Sequence, residues 1–247
     1  MLEHMKKAYL LLLSFLILGS CKKNEIVSPA LGTVNIVNAI MDGGAVKVNY
    51  FGRSIDWNNY VGRTSAVDYG VAQVYSFTPG NRIKIVQSGD TSKVFFDDII
   101  GSKDRDIYSL YLGGTVSAPI SISVKEDFPA FYNEMAIGIR VINLSPNSNP
   151  INITLSSSPA VNQFTGITYR MITEINKIPY PSVFVVGSNE FQLRNMSGDL
   201  LGVCVLPDQG LLSVSTARHK ILTLVIKGLQ GTTSGPNAFS AFFVANF

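Results

Sequence analysis

Nucleophilic, metal and acid–base chemistry each require particular side chains at particular spacings, and this chain of 247 residues offers few of them. A serine hydrolase needs its nucleophile on a strained turn with a base in reach, and no Gly-x-Ser-x-Gly occurs in the sequence. Cys204 lies in the apolar stretch Leu201-Gly202-Val203-Cys204-Val205-Leu206, a setting for a small buried hydrophobe rather than a thiolate nucleophile. The densest carboxylates are Asp97-Asp98 and Asp104-Arg105-Asp106, which bracket Gly101-Ser102-Lys103. Such a loop could offer oxygens to calcium, but Lys103 and Arg105 oppose a cation, and a solvated turn with local ion pairs is the favoured reading. A glycoside hydrolase needs only two carboxylates, one of them with a raised pKa, and no pair stands out here by spacing. Aromatic residues give a better lead. Ile55-Asp56-Trp57-Asn58-Asn59-Tyr60 places the single tryptophan near a tyrosine among amide side chains. That composition suits stacking on a sugar ring with hydrogen bonds at its edge, although a Trp and a Tyr in a loop more often plug the end of a β-sandwich, which is the favoured reading. The sequence implies no cofactor and no metal.

Cys21 is the residue with an assignable chemical role. Met5-Lys6-Lys7 forms a short basic segment, and Ala8 to Leu18 is a run of eleven residues interrupted only by Ser14. A transmembrane helix needs about 20 apolar residues, so this run is too short to span a bilayer and matches the core of a signal peptide. It ends at Leu18-Gly19-Ser20-Cys21, which resembles the bacterial lipobox. The resemblance implies a diacylglycerol thioether on Cys21, cleavage after Ser20 and acylation of the new amino group. Each buried CH₂ contributes about 0.8 kcal/mol and two or more chains anchor stably, so such a protein stays in its membrane. Cys204 is then left without an intrachain partner, and His219, between Arg218 and Lys220, is the one remaining histidine; it reads as a surface residue, and a multi-histidine metal site is excluded. Lys22 to Ala30 is polar and contains proline, as expected of a tether. The start Cys-Lys-Lys-Asn-Glu resembles lipoproteins of the Bacteroidetes group, and the lack of aspartate after Cys21 favours the outer membrane, on its periplasmic face or at the cell surface.

Without residues 1–20 the chain keeps 18 basic and 16 acidic side chains, a net charge of +2. That near-neutral balance argues against a nucleic-acid partner. Val, Ile, Thr, Tyr and Phe recur in short runs between Gly, Asn, Asp, Ser and Pro, which points to strands and turns. Strands are expected over 33–39, 45–50, 71–78, 82–87, 106–112 and 120–124, and again over 136–143, 150–156, 182–186, 190–194, 202–206, 219–227 and 240–245. In Arg82-Ile83-Lys84-Ile85 the two isoleucines share one face and the two cations the other.

The two series run in parallel. Val34-Asn35-Ile36-Val37-Asn38 lines up with Ile139-Arg140-Val141-Ile142-Asn143, Arg82-Ile83-Lys84-Ile85 with Glu190-Phe191-Gln192-Leu193, and Ile107–Leu112 with Ile221–Ile226. Asn38 and Asn143 are 105 residues apart, Gly89 and Gly198 109, and Gly114 and Gly228 114, as if loops lengthened in a second copy. The expected fold is all-β: two tandem immunoglobulin-like antiparallel β-sandwich domains after a lipoprotein signal peptide. The boundaries are 1–20 for the signal peptide, 21–30 for the lipidated cysteine and tether, 31–127 for the first repeat, 128–134 for a linker and 135–247 for the second. Asparagine at a strand end can bond nearby backbone and start a turn. Ile139-Arg140-Val141-Ile142-Asn143-Leu144-Ser145-Pro146, followed by Ile151-Asn152-Ile153-Thr154-Leu155, resembles the "domain of unknown function 4397" family, in which a strand, an Asn/His-(Ala/Leu)-Ser-Pro turn and a second strand open the domain. Asn38-Ala39-Ile40-Met41 lacks the Ser-Pro pair. The resemblance implies a cell-envelope β-protein and no assigned activity.

The expected function is therefore that of a non-catalytic binding, structural or adhesion module held at the envelope, with a glycan or protein partner and Trp57 and Tyr60 as candidate binding residues. A carboxylate-dependent glycan hydrolase is the alternative. Cys21→Ser is expected to release the protein from the membrane fraction and to abolish incorporation of labelled palmitate; a variant that still acquires palmitate would refute the assignment of Cys21.

Overall fold

The computed structural model of the chain describes residues 30–57, 66–101, 103–128, 136–179, 190–206 and 220–246. Its first half contains β1 (Gly32–Asn38), β2 (Val46–Asn49), β3 (Val71–Phe77), β4 (Arg82–Gln87), β5 (Val94–Ile99), β6 (Ile107–Gly114) and β7 (Pro119–Lys125). The second half contains β8 (Ala136–Asn143), β9 (Ile151–Leu155), β10 (Ser158–Ile167), β11 (Asn176–Pro179), β12 (Glu190–Arg194), β13 (Leu200–Val205), β14 (Ile221–Lys227) and β15 (Ser240–Ala245). The described residues include no helix, and the all-β expectation holds.

Four sheets result: β3-β1-β6-β7 and β2-β4-β5 in the first half, β11-β8-β14-β15 and β10-β9-β12-β13 in the second. Strand pairs are antiparallel except β1–β6 and β8–β14, which are parallel at the centre of their sheets. Each half is a sandwich around its own core. Val34, Ile36, Val48, Ile83, Ile85 and Leu110 meet in the first; Ile139, Val141, Ile153, Leu193, Leu222 and Leu224 meet in the second. The alternation in Arg82-Ile83-Lys84-Ile85 is realised, with both isoleucines fully buried while Arg82 is exposed and Lys84 half-buried.

Three strands escaped the sequence pattern. β5 contains Asp97 and Asp98, which were expected in a turn. Phe95 alone of its central residues is fully inward, so acidic residues on a half-exposed edge strand read as loop. β10 pairs with β9 through three shifts of register, which destroy period-2 alternation. β11 has only four residues. The strand expected over 182–186 lies outside the described residues, as do the signal segment, Cys21, Tyr60, His219 and all but Phe128 of the expected linker.

The two halves meet through the sheets that carry β1 and β8. β1, β8 and β14 are buried almost along their whole length, because one face fills a sandwich and the other faces the opposite half. Between the halves, Val37, Ala39 and Tyr111 pack against Ile142, Leu144, Val225 and Val244. Both halves use the same face: Asn35 stands opposite Ser109 in the first, and Arg140 stands opposite Thr223 in the second. Asn35 donates across the interface to the Ala245 carbonyl at 3.3 Å. Arg140 reaches the other way, to Glu126 just past β7, and both carboxylate oxygens accept from it, Oε2 at 2.7 Å from Nη1 and Oε1 from Nη2.

That ion pair is buried, with side-chain exposures of 5% for Arg140 and 2% for Glu126. Arg140 Nη2 also donates to Tyr111 Oη at 2.6 Å and Nε to Thr223 Oγ1 at 2.9 Å. Thr223 Oγ1 accepts again from Asn246 Nδ2 at 2.7 Å. With both lone pairs engaged, the Thr223 hydrogen is the one directed at Tyr111, 3.1 Å away. Burial works to discharge Arg140, but its bonds and charge interactions with Glu126 and Tyr111 together outweigh it and the guanidinium pKa is raised. Burial likewise lifts the Tyr111 hydroxyl above the usual tyrosine range.

Strand ends are set by recurrent bonds. Asn38 Nδ2 donates to the Gly44 and Val67 carbonyls at 2.8 and 2.9 Å, while its Oδ1 accepts from Ile40 N at 3.2 Å. Asn143 Nδ2 donates to Ser148 Oγ and the Ile167 carbonyl at 2.8 and 3.2 Å, and Oδ1 accepts from Ser145 N at 2.9 Å. β6 and the segment after β14 end at Gly114 and Gly228, both at positive φ (76° and 82°), where an added Cβ would strike the carbonyls of Ala118 and Ala238.

Removing one member of a buried ion pair leaves the other charge uncompensated. Glu126→Ala is expected to destabilise the chain by about 3–5 kcal/mol, whereas replacing both partners by Glu126→Leu and Arg140→Met costs far less. Urea unfolding checks this, and equal midpoints for the single and double variants would contradict it.

Candidate functional site

The candidate residue Trp57 lies on the outer side of the β2-β4-β5 sheet, and the loop that carries it is built by its own sequence. Asn49 closes β2: its Oδ1 accepts from Phe51 N at 3.1 Å and its Nδ2 donates to the Arg53 carbonyl at 2.7 Å. This is an asparagine turn that bends the chain back over the sheet. The loop is then pinned by aromatic contact. Tyr50 stacks on Phe51 with centroids 4.3 Å apart and tilts against Tyr75 at 5.3 Å. Lys47 Nζ donates to the Trp57 carbonyl at 3.4 Å, tying the far end of the loop to β2.

Between this loop and the sheet is an open cleft of about 280 Å³, lined by Asn49, Gly52, Arg53, Ser54, Ile55, Trp57, Arg82, Lys84 and Asp97. Trp57 is half-buried. Asp97 sits across β4–β5 from Lys84. Arg82 Nε donates to Asp97 Oδ1 at 2.5 Å and Nη2 to the Asp97 backbone carbonyl at 2.9 Å. Lys84 Nζ stands 3.9 Å from the second oxygen. Arg53 is exposed, its guanidinium 6.0 Å from the Phe51 ring centroid.

The structure thus brings Trp57 together with Arg53, Arg82, Lys84 and Asp97; the three cations were not marked as site residues by sequence, and Asp97 was weighed there only as part of an acidic turn. Arg82 and Lys84 were visible as the outward side of an alternating strand. Their meeting with Trp57 depends on the β2–β4 pairing, in which Asn49 opposes Lys84.

The acidic segments do other work. Asp97 serves Arg82, and Asp106 is paired with Lys125 at 2.8 Å. Among the described residues no group of three His, Cys, Asp or Glu is placed to hold a metal. A second cleft, about 240 Å³, lies where the halves meet and includes Glu126, Asp127, Arg140 and Glu174. Both Glu126 oxygens are taken by Arg140, and Asp127 and Glu174 are exposed.

Cys204 is a free, buried thiol on β13, and burial pushes its pKa up to about 12. That is the opposite of an activated nucleophile. No family model matches the chain, and no curated protein matches it either.

The buried thiol carries a pH signature. Its folded pKa of about 12 lies above the reference value of 9.0. The protonated form is therefore favoured by folding, and this contribution is complete below the unfolded pKa and lost as pH rises toward the folded value. Unfolding free energy should fall from about pH 9 toward about pH 12, and less steeply in Cys204→Ala. Parallel urea titrations of the two proteins measure the slopes; identical slopes would refute the assignment.

Proposed function

We propose that this chain is a non-catalytic glycan-binding module anchored through lipid on Cys21 at the outer membrane, on its periplasmic face or at the cell surface. One observation carries the binding part. A half-buried tryptophan lines an open cleft on the outer face of a sandwich, next to amide, hydroxyl and charged side chains. An indole ring offers a flat apolar surface to the face of a pyranose, and the surrounding polar groups can bond its hydroxyls. A rigid frame with the binding loop at its surface suits recognition rather than turnover.

The anchor rests on the Leu18-Gly19-Ser20-Cys21 tetrapeptide. We read the two halves as copies of one immunoglobulin-like domain. Support comes from the shared asparagine bonds at Asn38 and Asn143 and from the equal registers of β1–β6 and β8–β14. The turn at Asn143-Leu144-Ser145-Pro146, closed by the Ser145 N to Asn143 Oδ1 bond, fits the motif of the domain of unknown function 4397 family.

Screening the full chain, solubilised in detergent, on a glycan array tests the reading. At least one oligosaccharide should bind, and Trp57→Ala should weaken it about thirtyfold or more, as expected for a central aromatic anchor of about 2 kcal/mol. An empty array, or a Trp57→Ala variant that binds as the parent does, would refute it.

A further inference from the structure

The cleft under Trp57 carries a charge that sugar stacking alone does not require. Its lining includes three cations, Arg53, Arg82 and Lys84, against one carboxylate, Asp97, a local balance of +2. The other carboxylate of the loop, Asp56, is not part of the lining. Lys47, on the same outer face of β2, adds a further cation beside Trp57. The formal charge of the whole chain is only +3 over 247 residues, so this concentration is local and not a general basic character.

Not all of these cations have the same task. Arg82 is committed to Asp97 through its side chain and backbone bonds. Lys84 lies 3.9 Å from Asp97 Oδ2, outside hydrogen-bonding distance. Arg53 has no carboxylate partner among the described residues, and it projects from the loop beside Ser54 and Trp57. A guanidinium presents a planar fork that matches a carboxylate or a sulfate, and an ammonium supplies a compact point charge beside it.

The second half provides an internal comparison. Lys84 opposes Asn49 between β4 and β2, and Gln192 opposes Thr154 between β12 and β9. At this sheet position, and at the position of Arg82, the second half carries Gln192 and Glu190. The fold is built equally well with uncharged or acidic residues there, so folding does not demand the cations.

Resting on the glycan-binding reading above, we infer that the cleft selects an acidic sugar: a pyranose stacked on Trp57 whose carboxylate or sulfate lies between Arg53 and Lys84. The space of about 280 Å³ is at the small end of ligand clefts, near 300 Å³, and fits one ring of a longer chain. Ser54 stands at the rim to bond a ring hydroxyl.

The experiment measures affinities of the full chain in detergent by calorimetry. The probes are oligogalacturonate, oligoglucuronate and oligomannuronate, the methyl ester of each, and a sulfated oligogalactan. Methylation removes the charge and keeps the ring. At least one acidic oligosaccharide should bind about tenfold or more tighter than its uncharged counterpart, the scale of a charge-assisted bond. Arg53→Gln and Lys84→Gln should each erase most of that preference, weakening the acid far more than its ester. Trp57→Ala should weaken acid and ester alike. Preference for uronates or for the sulfated galactan identifies which anion the cleft takes.

Equal affinity for acid and ester, lost in Trp57→Ala, would overturn the acidic-sugar inference and leave glycan binding standing. Acid binding that survives Trp57→Ala, together with binding to phosphatidylglycerol vesicles, would show an unspecific anion surface and overturn both. If no acidic oligosaccharide binds, the inference fails.

Discussion

Arg140 and Glu126 are the charged side chains buried among the described residues, and they sit where the two halves of the chain press together. Apolar contact between two sheet faces is not directional: Val37, Tyr111, Ile142 and Val225 could meet in several registers with similar burial. The Arg140 guanidinium cannot. Its bonds to Glu126, Tyr111 and Thr223 use a planar fork with fixed directions. A slip along the sheets would strand two charges in a medium where an unpaired ion is very costly. The ion pair therefore selects one alignment of the halves, while the surrounding apolar cluster supplies most of the attraction.

Much of the remaining architecture follows from that contact. Because their outer faces are covered, polar side chains at the interface lean on one another: Asn35 Nδ2 donates to the Ala245 carbonyl, and Thr223 Oγ1 accepts from Arg140 Nε and Asn246 Nδ2. The β2-β4-β5 and β10-β9-β12-β13 sheets form the other layer of each sandwich, each with one face turned away from its core. The cleft under Trp57 is on one of those faces, and its base is a strand whose other side is fixed by Ile83 and Ile85 in the core.

What could be read in the sequence follows the range of the interaction that determines it. Ile83 and Ile85 alternate with Arg82 and Lys84 because neighbouring side chains on a strand point to opposite faces, a purely local rule. Asn38 and Asn143 were legible for the same reason, since their bonds reach a residue two positions on. Glu126 was not. It stands in Glu126-Asp127-Phe128-Pro129, which has the composition of a linker, and its burial comes from a partner 14 residues away on another strand. Arg140 resembled the polar side of an exposed strand, because the second sheet that covers it cannot be seen from local alternation. The site shows the same division: Trp57 stood out by rarity, but its meeting with Arg82 and Lys84 depends on strand pairing.

The paired halves also separate residues that serve folding from residues that do not. Where both halves use the same group, it serves the backbone: Asn38 and Asn143 tie the end of a central strand to the Val67 and Ile167 carbonyls, and Gly114 and Gly228 hold a positive-φ conformation that favours glycine. At some matched sheet positions the two halves carry different residues. Arg140 against Asn35 is such a difference inside the interface, and there burial dictates that a charge appear only with its partner. Arg82 and Lys84 against Glu190 and Gln192 is another, on a solvent-facing surface where no such constraint acts. Arg82 is answered there by Asp97 and Lys84 stands 3.9 Å from the same carboxylate, whereas Arg53 on the loop beside Trp57 has no carboxylate partner among the described residues.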